Sequence, residues 1–353
     1  GMTSIQRKTQ RETEDSVQSA ITREALLEME QKPRTGMQKT FDLLKALSPI
    51  LAASLALLEY LYLPNHPGNE ASYTYAIFLG ILLFGNLVFL LFSLRSRLSY
   101  YRYLYHAPFR ALVFFLLLFY DVLTLKSGIL LMPYFPWADR ILNAMISDRG
   151  YLLQCTLSSL YLLFCGYFSG LLAGLVSGIA CGYNQRINYW IEPFMKLLGA
   201  IPSTTWIPIV LVLSASLFRG SVFIIALGVW FSITLSTITG IRNIDKSYYE
   251  AARTLGASGV QLIRNVAIPS AVPSIFQGMI QAMSSACTAL LVAEMIGVES
   301  GLGWYITWQK SWAEYGKMYG AIILICLIFV GVNFILGCIR SRVLRWQEGM
   351  VKA

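Results

Sequence analysis

The segment IRNIDKSYYEAARTLGASGVQLIRNVAIPSAV, residues 241–272, decides how this chain is read. It lies between two apolar runs, at about 220–240 and 273–297, and its residues specify structure. Asp245 is placed as an N-cap, where its side chain accepts from free amides at a helix start. Ile244 before it and Tyr249 after it have the spacing of a hydrophobic staple. A short helix is expected through Glu250, Ala251 and Ala252, ended by a left-handed turn at Gly256. Ser258 and Gln261 have the spacing of a capping box for a second helix. Pro269 is expected to end that helix, because the residue before a proline avoids the helical region. Helices this short are marginal alone in water. The pair needs a surface to pack on, either a cytoplasmic partner or the chain's own apolar segments.

The rest of the chain says what surrounds that loop. Of 353 residues, 56% are hydrophobic and only 13% are charged, against about 25% charged in a soluble domain. The mean hydropathy is +0.57. These values point to a bilayer. The net charge of +9 would suggest nucleic acid in a soluble protein. Here the basic residues fall in short segments between apolar runs, so they report topology and no nucleic-acid partner is expected. The six cysteines all lie in apolar segments without a CxxC pair, which argues against a metal or disulfide framework. Gly1 ahead of Met2 reads as an expression remnant, and the polar first forty residues hold no cleavable signal peptide.

The expected fold is an all-α integral membrane protein with eight spans, at about 43–63, 73–94, 108–131, 153–182, 194–215, 220–240, 273–297 and 318–340. Arginine and lysine cluster before the first span, in every second loop after it and in the tail, which predicts cytoplasmic termini in a cell membrane. Val17, Ile21, Ala25 and Met29 recur every four residues and suggest an amphipathic helix ahead of the spans. The outward loop 298–317 holds Trp304, Tyr305, Trp308 and Trp312, and loop 132–152 holds Tyr134, Phe135 and Trp137. Both fit an aromatic belt at the headgroup level or a docking surface for an external partner.

A resemblance rests on these residues. Glu250-Ala251-Ala252, then Gly256, then Val266-Ala267-Ile268-Pro269 resembles the EAA loop of binding-protein-dependent ABC transporter permeases, with the same spacing. Val266 and Ile268 depart from the pattern and keep its apolar character. The run from Ile201 to Pro208, the run from Leu291 to Ile296, and Gly301-Leu302-Gly303 resemble the branch that handles nitrate, sulfonates and taurine. The resemblance covers about residues 108–345. It implies a type I importer permease core of about six helices at 108–345, preceded by a cytoplasmic segment (1–40) and two additional spans (41–107), and followed by a tail (346–353). It implies that loop 241–272 is a coupling helix seated in an ATPase, with Tyr249, Glu250, Ala251, Ala252, Gly256 and Pro269 as the coupling residues. It also implies two ABC ATPase subunits, a second permease copy, an external solute-binding protein and alternating access. No GxxxxGK[ST] loop occurs, so the chain is read as non-catalytic, with ATP and magnesium held by the partner ATPase and no cofactor of its own.

A solute path needs polar groups facing inward. Gln277, Gln281, Ser284 and Thr288 share one helical face, Thr234 and Thr237 repeat on another, and Ser203, Thr204 and Thr205 lie between Pro202 and Pro208. Path lining and helix–helix packing both account for such residues. Glu294 is expected in an outer gate or a bond across a dimer, and Asp121 either in a pair within the chain or in a span shifted so that it lies less deep. The alternative to an importer is a secondary transporter or channel, which predicts internal repeats or several paired intramembrane charges, and neither is visible. A membrane enzyme would want clustered His, Asp or Cys, yet His66 and His106 fall in loops on opposite sides.

Overall fold

The structure, a computed structural model, describes residues 35–345. The amphipathic helix expected around Val17–Met29 and the tail 346–353 lie outside the described residues. Contacts divide the chain into two compact units, one through Asp139 and one from Arg140 onward.

The first unit holds α1 (Gly36–Tyr62), α2 (Thr74–Ser93) and α3 (Arg97–Asp121), the last continued by a π-helical turn over Val122–Lys126. A capping box between Thr35 and Gln38 opens α1. Ala46, Ala52, Ala53 and Ala56 form a fully buried seam along it. Lipid gives helices little hydrophobic reason to associate, so small residues that permit close approach do much of that work. Tyr103 of α3 fills the space beside Ala46, and its hydroxyl donates to the Ala46 carbonyl at 3.1 Å. The third helix starts before residue 108 and packs with the first two helices.

The second unit begins within α4 (Ala138–Ser147) and continues through α5 (Arg149–Tyr183) and α6 (Gln185–Ala200). A 3-10 turn at Ser203–Trp206 leads into α7 (Ile207–Leu213), and α8 (Leu217–Arg242) follows. After α9 (Lys246–Thr254), the short α10 (Val260–Leu262) runs through a π-helical turn at Ile263–Ala267 into α11 (Ile268–Ile296). Last come α12 (Leu302–Ser311) and α13 (Tyr315–Val343). Among the described residues seven helices are long and apolar enough to cross a membrane, or eight if the bent pair Gln185–Ala200 and Ser203–Leu213 is one span.

Two expectations change here. The fifth span is not straight: α6 and the segment Ser203–Leu213 meet at 90°. Pro202 supplies the reason, because Ile201 before it is held extended at φ −111°, ψ 124°. The second short helix also does not end at Pro269. Ile268 donates five residues back to Ile263, and Pro269 then falls in the first turn of α11, where its missing N–H costs nothing.

The packing of α5 on α8 organises this unit. Gly166, Gly170, Gly174, Gly178 and Gly182 recur every four residues on one face of α5. A Cβ at Gly174 would stand 2.7 Å from the Ile233 Cβ, and one at Gly178 2.5 Å from the Thr237 Cβ. The two backbones approach so closely that only glycine fits. Around this contact Leu163, Ile225, Val229, Ile233, Ala286 and Leu290 form the buried core.

Candidate functional site

The loop between α8 and α11 takes the form its residues specify. Asp245 caps α9, accepting from the Ser247 amide at 2.9 Å, and that bond holds its carboxyl below the usual aspartate range. At the other end the Gly256 amide donates to Arg253 and the Ala257 amide to Ala252, the paired bonds of a Schellman turn. Gly256 sits at φ +87°, a conformation that side chains strain. Ser258 and Gln261 make part of the expected box: the Ser258 amide donates to Gln261 Oε1 at 3.4 Å.

No residue of α9 is buried. Glu250 and Ala251 lie on its exposed surface, and Leu255 just after it is 90% exposed. Tyr249 is different. With Ile244 it packs on Ile241, Ala267, Ala271 and Ile275, and this burial raises its phenol pKa. Tyr249 thus fastens the short helix to its own chain. The outward surface is left to Tyr248, Glu250, Ala251 and Leu255, of which Tyr248 and Leu255 were not singled out by the sequence reading. Their signal was there, in apolar groups spaced around the buried side. Pro269 is exposed at the start of α11, away from the tip of the loop.

The polar residues of the spans separate into distinct sets. Gln277, Gln281, Ser284 and Thr288 lie together on the exposed face of α11. The opposite face of that helix, with Gly278, Ala282, Ala286, Ala289 and Ala293, is buried. Thr234 and Thr237 are fully buried against α5. The Thr234 hydroxyl meets Ser177 Oγ at 2.8 Å, and Thr237 donates to its own helix at Ile233. These two threonines are packed between helices.

Ser203 lines a cavity of 130 Å³ with Gly228, Phe231, Ser232 and Ser285. A Cβ at Gly228 would come within 3.0 Å of both the Ser203 and Ser285 hydroxyls, so this glycine keeps the cavity open. Ser232 and Ser285 were missed in the sequence. Ser232 lies four residues after Gly228 on the side of α8 away from Thr234, so a spacing argument built on threonine alone does not reach it. Thr204 and Thr205 belong to the same 3-10 turn and are not among the residues lining this cavity.

Glu294 is neither exposed nor on the polar face of α11. It is 1% exposed, and it accepts from Ser159 Oγ at 2.8 Å and from the Gly303 amide at 2.9 Å. The Leu302 amide donates to the same serine at 2.8 Å. Glu294 and Ser159 together satisfy the first free amides of α12, where the helix dipole favours a negative charge. A Cβ at Gly301 would stand 2.1 Å from Glu294 Oε1, so the glycines of Gly301-Leu302-Gly303 make room for the carboxylate. Glu294 is a lock within its own chain. The helix it holds carries Trp304 stacked on Trp308, followed by Trp312.

Comparison with known proteins bears on this arrangement. The family described as "Binding-protein-dependent transport system inner membrane component" matches residues 170–347, just over half of the chain. A putative ABC transporter permease of Methanocaldococcus jannaschii is 28% identical over 142 residues, 38% of this chain and 53% of that protein. The bicarbonate transport system permease CmpB of Synechococcus elongatus is 28% identical over 124 residues, 35% of this chain and 44% of that one. The putative aliphatic sulfonates transport permease SsuC of Escherichia coli is 35% identical over 81 residues, 23% and 31% of the two chains. The chain thus spans about half the length, or less, of these relatives. Among solved structures, an inward-facing form of the MetNI methionine ABC transporter aligns over 56% of this chain and 99% of its own, at 20% identity and a TM-score of 0.49.

Proposed function

The chain belongs to the family of binding-protein-dependent transport system inner membrane components, and from that premise we propose that it is the permease subunit of an ATP-driven importer for a small anionic solute. The observation that carries the proposal is α9: a capped, bent helix held between two spans by Tyr249, with none of its own residues buried. Such a surface suits a separate ATPase, which would hold ATP and magnesium. Closure of two such ATPases would drive α9, and through the unbroken Val260–Ile296 helix it would move the polar face of α11. The inner-facing side is then the one that carries α9 and the basic loops, with both termini on it.

The polar face of α11 supports a second copy of the chain. Two exposed glutamines and two exposed hydroxyls at mid-helix are costly against lipid and are accommodated by a water-filled path or a polar partner. A homodimer with two α11 faces across a central path provides both. The relatives are named for bicarbonate, aliphatic sulfonates, nitrate and taurine. Small oxyanions and sulfonates are therefore the proposed solute class, delivered by an external binding protein.

The test is purification of the tagged chain from its native membranes, with measurement of vanadate-sensitive ATPase activity that travels with it. Wild type is expected to carry that activity, while Glu250→Arg and Gly256→Pro lose it with the membrane helices still folded. Wild type without an ATPase, or both variants retaining one, would sink the importer reading.

A further inference from the structure

The first unit contains a buried group of ionisable side chains that nothing in solute transport uses. Glu59 of α1 and Asp121 of α3 approach within hydrogen-bonding reach of each other. All four of their carboxyl oxygens are buried, and among the described residues no group donates to any of them. Asp121 is fully buried. The hydroxyl of Tyr75, a residue 1% exposed, is also buried without a partner among the described residues and lies within electrostatic reach of both carboxyls.

The neighbouring charges leave this pair one short of balance. Lys126, on the π-helical turn after α3, is the nearby cation. Its three ammonium hydrogens are already used: it donates to the Tyr60 carbonyl at 2.7 Å, the Leu63 carbonyl at 2.9 Å and Asn65 Oδ1 at 2.8 Å. It closes the end of α1 and offers the carboxyls charge without a hydrogen bond. Asp139 is engaged elsewhere, accepting from the amides of Ser72 and Tyr75 at the start of α2. Tyr60 donates its hydroxyl to the Ser72 carbonyl. Against Lys126 the two carboxylates leave a negative charge uncompensated, nearby Asp139 adds to it rather than relieving it, and two acceptors face each other with no donor between them. An uncompensated charge in such a place is strongly unfavourable. A single proton held between the carboxyls corrects both faults.

We propose that the first unit is a proton-binding site, in which Glu59 and Asp121 share one exchangeable proton, with Lys126 balancing the remaining charge and Tyr75 closing the site. A cavity of 360 Å³ is lined by Tyr60, Asn65, Ser72, Tyr73 and Lys126, so the lysine that balances the pair borders open space while the carboxyl oxygens themselves are buried. The site lies outside the family match at 170–347, and the inference does not rest on the importer reading.

The test uses dicyclohexylcarbodiimide, an apolar reagent that adds across a protonated carboxyl. The whole protein in lipid nanodiscs is treated, and the peptides containing Glu59 and Asp121 are read by mass spectrometry. Wild type is expected to be labelled at one of the two near neutral pH. Labelling should fall by about tenfold as rising pH removes the proton, and should not change when sodium replaces choline at constant ionic strength. In Glu59→Gln the new amide donates to Asp121 directly, so Asp121 should be unlabelled although its carboxyl remains. No labelling of wild type, suppression by sodium, or labelling of Asp121 in Glu59→Gln would each overturn the proposal.

Discussion

Two sets of polar residues in neighbouring helices look alike in sequence and have opposite fates. Thr234 and Thr237 on α8 are sealed against the glycine face of α5. Gln277, Gln281, Ser284 and Thr288 on α11 lie on the surface of the chain. A threonine can return its hydroxyl bond to its own helix, as Thr237 does at 2.7 Å, and then behaves in packing like a valine. A glutamine amide has more hydrogen-bonding groups than its own helix can satisfy. Polarity at helical spacing therefore does not identify a path. The partner helix does: a glycine every four residues opposite the stripe marks packing, and small apolar residues behind it mark a stripe that faces outward.

The sharpest way to break the comparison is to fill the glycine face. Gly174→Leu or Gly178→Leu should destabilise the second unit by about 3 kcal/mol, seen as loss of monodisperse protein and a lower melting temperature in detergent. Unchanged stability would mean that α5 and α8 are not in contact as described. Next in size, Gln281→Leu should leave melting unchanged and lower solute uptake in reconstituted vesicles by about tenfold, equivalent to ~1.4 kcal/mol in the transport step. Thr234→Val should do the reverse, with a stability loss of about 0.6 kcal/mol from the lost Ser177 bond and normal uptake.

The smallest effect concerns Asp245. Its folded pKa is depressed, so the cap is at full strength above the ordinary aspartate value of 3.8 and is lost only as pH falls through its lower folded value. ATPase stimulation by the chain should be flat across neutral pH in wild type. In Asp245→Ala it should be lower at every pH, with no change in melting. A transition near neutrality removed by Asp245→Ala would contradict the cap.

The loop was legible in sequence because caps and turns are local: Asp245, Gly256 and the Ile244–Tyr249 pair each act within a few residues. Most span positions were legible because hydropathy is additive. What escaped depends on direction. Hydropathy does not register a corner, so the break at Ile201–Pro202 read as part of one span. Pro269 read as a stop, because a π-helical turn that carries the chain past a proline leaves no compositional mark. Glu294 read as a gate residue or a bond across a dimer, since its partners, Ser159 and the amide of Gly303, are brought to it only by folding. The glycine series from Gly166 to Gly182 was visible and would have sorted the two stripes before any coordinates.

The most direct test of the account is a cysteine scan in a background lacking the six native cysteines, with single cysteines at 234, 237, 277, 281, 284 and 288 and a membrane-impermeant thiol reagent applied to permeabilised vesicles. The account predicts labelling at 277, 281, 284 and 288, with loss of uptake on modification, and none at 234 or 237. Labelling at 234 and 237 with protection of the α11 positions would reverse the assignment and place the path on the other side of α8.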